Sequence, residues 1–160
     1  MTSKSKDKNK PIDQIDCEII RLLQQNGRIS NREISKKIGT SETTTRTRLN
    51  RLIKNGIIQV VAVSNPFKLG FGVIGNSKIR IEVNKMDTVV NELKKIKEIW
   101  YIALATGGTD IDAEFNVKSL DDLNALLFEK ISRIPGINQI DTSLILRFAK
   151  RDYAWGTAMD

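Results

Sequence analysis

Three glycines cut the opening stretch of this chain into helices too short to stand alone. Gly27, Gly39 and Gly56 each follow an apolar-periodic run, and each run is preceded by a residue suited to cap a helix: Asp13, Ser30 and Ser41. After Asp13, residues Ile15, Ile19, Leu22 and Leu23 recur at helical spacing, and Asp16 favours the positive end of the helix dipole. Gly27 is expected to end this helix as a left-handed C′ residue. Ser30-Asn31-Arg32-Glu33 has the form of a capping box, in which Ser30 accepts from the third backbone N–H and Glu33 reaches back. The helix it opens turns Ile34 and Ile38 inward and stops at Gly39. Ser41 then caps a third helix that runs to about Asn55, and Gly56 closes it. Helices joined by so brief a turn must cross steeply, which leaves the second free to protrude. This is the spacing of a DNA-binding helix-turn-helix.

On a helical wheel the third helix turns Thr45, Leu49, Leu52 and Ile53 inward. Thr44, Thr47 and Arg51 lie opposite, Thr43, Arg48 and Asn50 flank them, and Arg46 is nearer the core edge. No acid follows Glu42 on this face. Arg donates to guanine edges or phosphates, Asn bonds adenine, and Thr offers a hydroxyl and a methyl. An ordinary solvated face would mix Glu with Lys, and consecutive threonines are poor helix formers. The expected DNA contacts are therefore Ser41, Thr43, Thr44, Arg46, Thr47, Arg48, Asn50 and Arg51, with Arg28 and Asn31 beside the second helix's start.

Charge agrees with that placement. The 160 residues carry a net charge of +7. Residues 1–60 hold 13 of the 26 Lys and Arg but only 6 of the 19 Asp and Glu, so the whole excess sits there. A basic module joined to a neutral one suits a polyanion partner for the first. Hydrophobic content of 40% and charged content of 28% fit a globular chain. No apolar run reaches the roughly 20 residues of a membrane helix, and Met1 to Lys10 has no apolar core of a secretory signal. The chain has one cysteine, Cys17, and no histidine. That rules out an internal disulfide framework and removes the commonest general base and metal ligand. The expectation is a cytoplasmic protein with no catalytic residues, no metal and no cofactor.

The second half reads as β-α-β-β-α-β. Ile79, Ile81 and Val83 alternate with Lys78, Arg80 and Glu82; Val89, Val90, Leu93 and Ile96 recur at helical spacing. Ile99 to Thr106 is a second strand, Gly107-Gly108-Thr109-Asp110 a turn, and Ile111, Ala113, Phe115 and Val117 mark a third strand. Ser119 caps a helix whose stripe is Leu120, Leu123, Leu127, Ile131 and Ile134, and Ile140 to Phe148 marks a fourth strand. This is a ferredoxin-like α+β domain, with helices on one face of an antiparallel sheet and the other face open to a partner. The expected organisation is a flexible basic tail (1–10), a helix-turn-helix domain (11–58), a hinge strand and linker (59–72), the ferredoxin-like domain (73–150) and a C-terminal tail (151–160).

The chain resembles the Lrp/AsnC, or feast/famine, family of transcription regulators from about Ile12 to Lys150. The carriers are Asp13-Gln14-Ile15-Asp16, Gly27-Arg28-Ile29-Ser30, Gly39-Thr40-Ser41, Arg48-Leu49-Asn50-Arg51-Leu52, Gly56-Ile57-Ile58, Asn65-Pro66, Thr106-Gly107 through Asp110, and Pro135-Gly136-Ile137 through Thr142. The resemblance implies a winged helix-turn-helix reader of double-stranded DNA, a hinge strand, and a RAM-type effector domain that forms homodimers and often octamers. It also implies that a small molecule, usually an amino acid, binds between dimers at Gly107, Gly108, Thr109 and Asp110, with Thr142 facing them. Backbone N–H groups suit a carboxylate and Asp110 an ammonium. Thr45 departs from the pattern, which favours an apolar residue there.

A sequence-specific regulator tuned by an effector is the leading reading; an architectural DNA binder with weak preference and no effector is the alternative. The fold also resembles sirohaem decarboxylases, but those depend on histidines that this chain lacks. From the wheel alone, Arg51→Ala is expected to weaken DNA binding by about 1–3 kcal/mol, measured by titration at fixed salt.

Overall fold

The structure is a computed structural model that describes residues 11–159; the segment read as a basic tail, 1–10, lies outside them. The described residues form two compact units, one running to Val63 and resuming at Lys150, the other spanning Ser64–Ala149.

The first unit holds α1 (Gln14–Gln25), α2 (Asn31–Ile38) and α3 (Glu42–Lys54). Ile19, Ile20, Ile34 and Leu52 are buried together, with Ile12, Ile15, Leu49 and Ile58 packed around them. Both expected caps form at the first two helices. Asp16 N–H donates to Asp13 Oδ1 at 3.0 Å, and Asp13 N–H donates to Asp16 Oδ2 at 3.1 Å. At α2 the Ser30 N–H donates to Glu33 Oε2 at 2.9 Å. That backbone bond, and then the Ser30 hydroxyl, hold the Glu33 carboxyl below its ordinary 4.5. Gly39 closes α2 at φ 67°, in the left-handed region expected of it. Gly27 does not play that part. α1 ends one residue earlier, with Asn26 extended and its side chain accepting from Arg28 N–H at 3.0 Å.

Asp16 is fully buried. Arg48 Nη1 donates to Asp13 Oδ2 at 2.7 Å and to Asp16 Oδ1 at 3.0 Å, and Arg51 Nη2 bonds Asp16 Oδ2. The hydrogen bond to Asp13 does most to raise the Arg48 guanidinium above its ordinary value, so the group stays charged at any ordinary pH. These bonds set the roll of α3. Arg48 and Arg51 lie against α1, while Ile53, read as inward, is 43% exposed. Thr45 is buried without penalty, because its hydroxyl lies 3.0 Å from that of Thr40 in the turn.

Two further differences concern extended chain. Among the described residues, 59–65 form no strand, although Val60, Val61 and Val63 have the expected β-branched character. A strand needs a neighbour for its N–H groups, and none of the four strands among the described residues pairs with it. The segment read as a C-terminal tail lies on α1: Gln24 Nε2 donates to Gly156 O and Gly156 N–H to Gln24 Oε1, both at 3.1 Å. Met159 Sδ lies 3.4 Å from Cys17 Sγ.

The second unit has the expected element order: β1 (Val73–Ile81), α4 (Met86–Leu93), β2 (Ile99–Leu104), β3 (Ile111–Val117), α5 (Leu120–Asn124) and β4 (Ile137–Leu144). The antiparallel sheet runs β2-β3-β1-β4. Ile79, Ile81, Ile111, Ala113, Phe115 and Val117 meet Val89 and Leu93 of α4 in its core. After α5 the chain winds as a π-helix, Ala125–Ile131. Its looser turn brings Leu126 and Ile131 inward, five positions apart, and leaves Phe128 65% exposed; Leu120, which opens α5, is 65% exposed as well. Of the stripe read at ordinary helical spacing, Leu123, Leu127, Ile131 and Ile134 lie on the core, while Leu120 does not and Leu126 joins it. The face away from the core carries Lys78 in register between Asp112 and Asp141. Ile102 and Leu104 instead pair with the core-facing Ala113 and Ile111.

Removing Asp16 strands the Arg51 guanidinium against the core and leaves Arg48 with Asp13 alone. Asp16→Ala is expected to lower stability by about 3–5 kcal/mol in urea unfolding, and Arg51→Met by less, since Arg48 still neutralises Asp16. A loss below about 1 kcal/mol for Asp16→Ala rejects the cluster as the clamp between α1 and α3.

Candidate functional site

Ser41 begins α3 by accepting from Thr44 N–H at 3.0 Å, and Gly39 supplies the left-handed residue that turns the chain. The face of α3 turned away from the α1–α2 core presents Thr43, Arg46, Thr47 and Asn50, all exposed, with Ser41 and Thr44 beside them. Lys54 continues the face, and Lys36 and Lys37 end α2, exposed and basic. These three lysines were absent from the sequence-derived candidates; the charge excess of the first 60 residues was the signal that could have found them. They suit phosphate oxygens rather than bases. Arg28 is exposed and Asn31 half-buried at the start of α2.

Two expected readers are turned elsewhere. The Arg51 side chain is 10% exposed and that of Arg48 20%, and both are bound to α1 carboxylates. Carboxylate bonds occupy donors that a guanine edge would otherwise need. Arg51 is therefore assigned to holding α3 in place, and any loss of DNA binding in Arg51→Ala would come with a loss of stability.

The turn between β2 and β3 is the other candidate. Gly107 has φ 101°, a conformation that favours glycine, and a Cβ built at Gly107 or Gly108 meets nothing within 4 Å. Open space thus surrounds the peptides proposed to meet a ligand. The turn's base is tied to β1. Thr109 Oγ1 donates to Ile79 O at 3.0 Å, Arg80 Nε donates to Gly108 O at 2.9 Å, and Asp110 Oδ2 accepts from Ile81 N–H at 2.9 Å. β3 begins only at Ile111, opposite Ile79, so the Asp110 side chain serves the N–H for which β3 has no residue. Thr142 is not gathered at this turn within one chain. It pairs with Ser77, its Oγ1 lies 2.9 Å from Ser77 Oγ, and β1 stands between it and β3. Among the described residues no group of three or more His, Cys, Asp or Glu could hold a metal ion, and no helix is long and apolar enough to cross a membrane.

Residues 12–59 match the family model described as winged helix-turn-helix DNA-binding, and residues 77–155 the one described as the Lrp/AsnC ligand binding domain. The chain is 40% identical over 144 residues to a helix-turn-helix-type transcriptional regulator of Pyrococcus horikoshii, covering 89% of this chain and 91% of that one. It is 36% identical over 140 residues to the regulator Ptr1 of Methanocaldococcus jannaschii, covering 87% and 95%. Among solved structures, AsnC of E. coli matches with a TM-score of 0.78 at 25% identity, covering 89% of this chain and 97% of that one. A transcriptional regulator of Neisseria meningitidis in complex with L-Met shares the fold, with a TM-score of 0.80 at 22% identity and coverage of 90% and 96%.

Asp110→Ala leaves the buried Ile81 N–H without its acceptor and is expected to cost about 1–3 kcal/mol in urea unfolding. Asp110→Asn keeps an oxygen there and should recover most of that loss; equal stability for Asp110→Ala and the parent chain excludes the role.

Proposed function

The chain belongs to the Lrp/AsnC family of transcriptional regulators, and on that premise we propose that it is a sequence-specific regulator whose DNA affinity is set by a small molecule, of amino-acid type, bound at its second unit. The observation that carries the DNA half is the outward face of α3. Thr43, Arg46, Thr47 and Asn50 stand exposed on a helix whose arginines nearest the core are already neutralised by carboxylates. Such a face has donors, acceptors and methyls for a major groove, and beyond Glu42 in its first turn no acid to repel the phosphates. Lys36, Lys37 and Lys54 supply the sequence-independent part of the affinity.

The effector half rests on the open Gly107–Gly108 peptides and on Asp110, one of whose carboxylate oxygens faces β1. Thr142 joins that site only from another copy, so the reading includes a homodimer that assembles further, toward an octamer. The L-Met complex of the Neisseria relative supports an amino acid as the ligand class. The reading places the protein in the cytoplasm, where its operator is. An architectural role, with weak sequence preference and no effector, is the second reading, favoured only by the broad basic surface.

The test is a competition titration at fixed salt, the chain's own promoter region against random DNA, with and without each amino acid. A preference of about 10³-fold or more for the promoter, shifted by one amino acid, is the expected result. Equal binding to both DNAs, unmoved by every amino acid, transfers the chain to the architectural reading.

A further inference from the structure

Three of the four threonine hydroxyls of α3 are spent on the helix, its cap and the turn before it. Thr47 Oγ1 donates to Thr43 O at 2.9 Å, one turn back. Thr44 Oγ1 lies 2.8 Å from Ser41 Oγ, within the cap. Thr45 Oγ1 is paired with Thr40. A threonine whose hydroxyl is turned back onto its own helix presents its Cγ2 methyl to whatever lies outside. Thr47 is exposed, so its outward group is a methyl. Asn50 stands three residues further along the same face, exposed, with an amide able to bond both adenine N6 and N7. Arg48 and Arg51 are held on Asp13 and Asp16, which leaves Arg46 as the exposed guanidinium of α3. In the major groove the C5 methyl of thymine is the one apolar feature that a base pair offers.

We propose that α3 reads thymine by its C5 methyl, through the Cγ2 methyl of Thr47, with Asn50 taking an adenine on the neighbouring step. The inference rests on the sequence-specific reading of this chain and names the base chemistry of that same site. It makes Thr47 a specificity residue by virtue of its carbon and not its oxygen. Threonine, serine and valine separate those two groups: serine keeps the hydroxyl, valine keeps the methyls.

The experiment begins by selecting bound sequences from a random duplex pool with the full chain. Each thymine of the enriched site is then replaced singly by deoxyuridine, which removes only the methyl, and affinities are measured at fixed salt for the parent chain, Thr47→Ser and Thr47→Val. The expected result is a loss of about fourfold at one position or more for the parent chain, the worth of one buried methyl. Thr47→Val retains that discrimination, and Thr47→Ser binds the thymine and uracil duplexes alike at that position. A parent chain indifferent to every deoxyuridine overturns the proposal, and so does a Thr47→Ser variant that still discriminates. A pool that yields no enriched sequence overturns the sequence-specific reading itself, and this inference with it; the two failures are thus told apart.

Discussion

The first unit depends on one carboxylate. Asp16 is fully buried, where an unpaired charge would be intolerable, and it is met by three donors: the Asp13 N–H, Arg48 and Arg51. A carboxylate has lone pairs enough to satisfy them. An apolar contact of the same volume could match this cluster in free energy. What it could not match is direction. Charged hydrogen bonds from two positions of α3 to one point on α1 fix the roll of α3, and the roll decides which residues face outward. Thr43, Arg46, Thr47 and Asn50 are the exposed face because Arg48 and Arg51 are not.

That dependence marks where the sequence was legible. The caps at Asp13, Ser30, Ser41 and Ser119 all form, because a cap is made by residues three positions apart and needs nothing distant. The βαββαβ order was equally readable, since strand alternation and helical spacing are local signals. The roll of α3 was not. A wheel treats every apolar residue as inward and every arginine as outward, so it buried Ile53 and exposed Arg51; a partner 35 positions away reversed both. The π-turn failed for a similar reason. Spacing at the ordinary helical period found Leu123, Leu127, Ile131 and Ile134, and only the packed sheet selects Leu126 over Leu120.

In the second unit, side chains finish what the strands leave undone. β1 outruns β3, and Asp110 and Thr109 serve as acceptor and donor for the buried backbone of Ile81 and Ile79. The candidate ligand turn is therefore rigid at its base and open at Gly107 and Gly108.

The pairing of Gln24 with Gly156 spans 132 positions of sequence, and it puts a clock on the first unit. α1, α2 and α3 leave the ribosome early, and their isoleucine core can gather at once. The segment that covers Gln24 and Cys17 is made only after the whole second unit. At roughly 5–20 residues per second that interval is on the order of ten seconds. During synthesis the basic helical unit therefore exists with the flank of α1 uncovered, and Cys17 without Met159 beside it. The ribosome's own RNA is the nearest polyanion throughout that interval. A nascent chain of this kind has its nucleic-acid surface complete long before the rest of the protein is there to govern it.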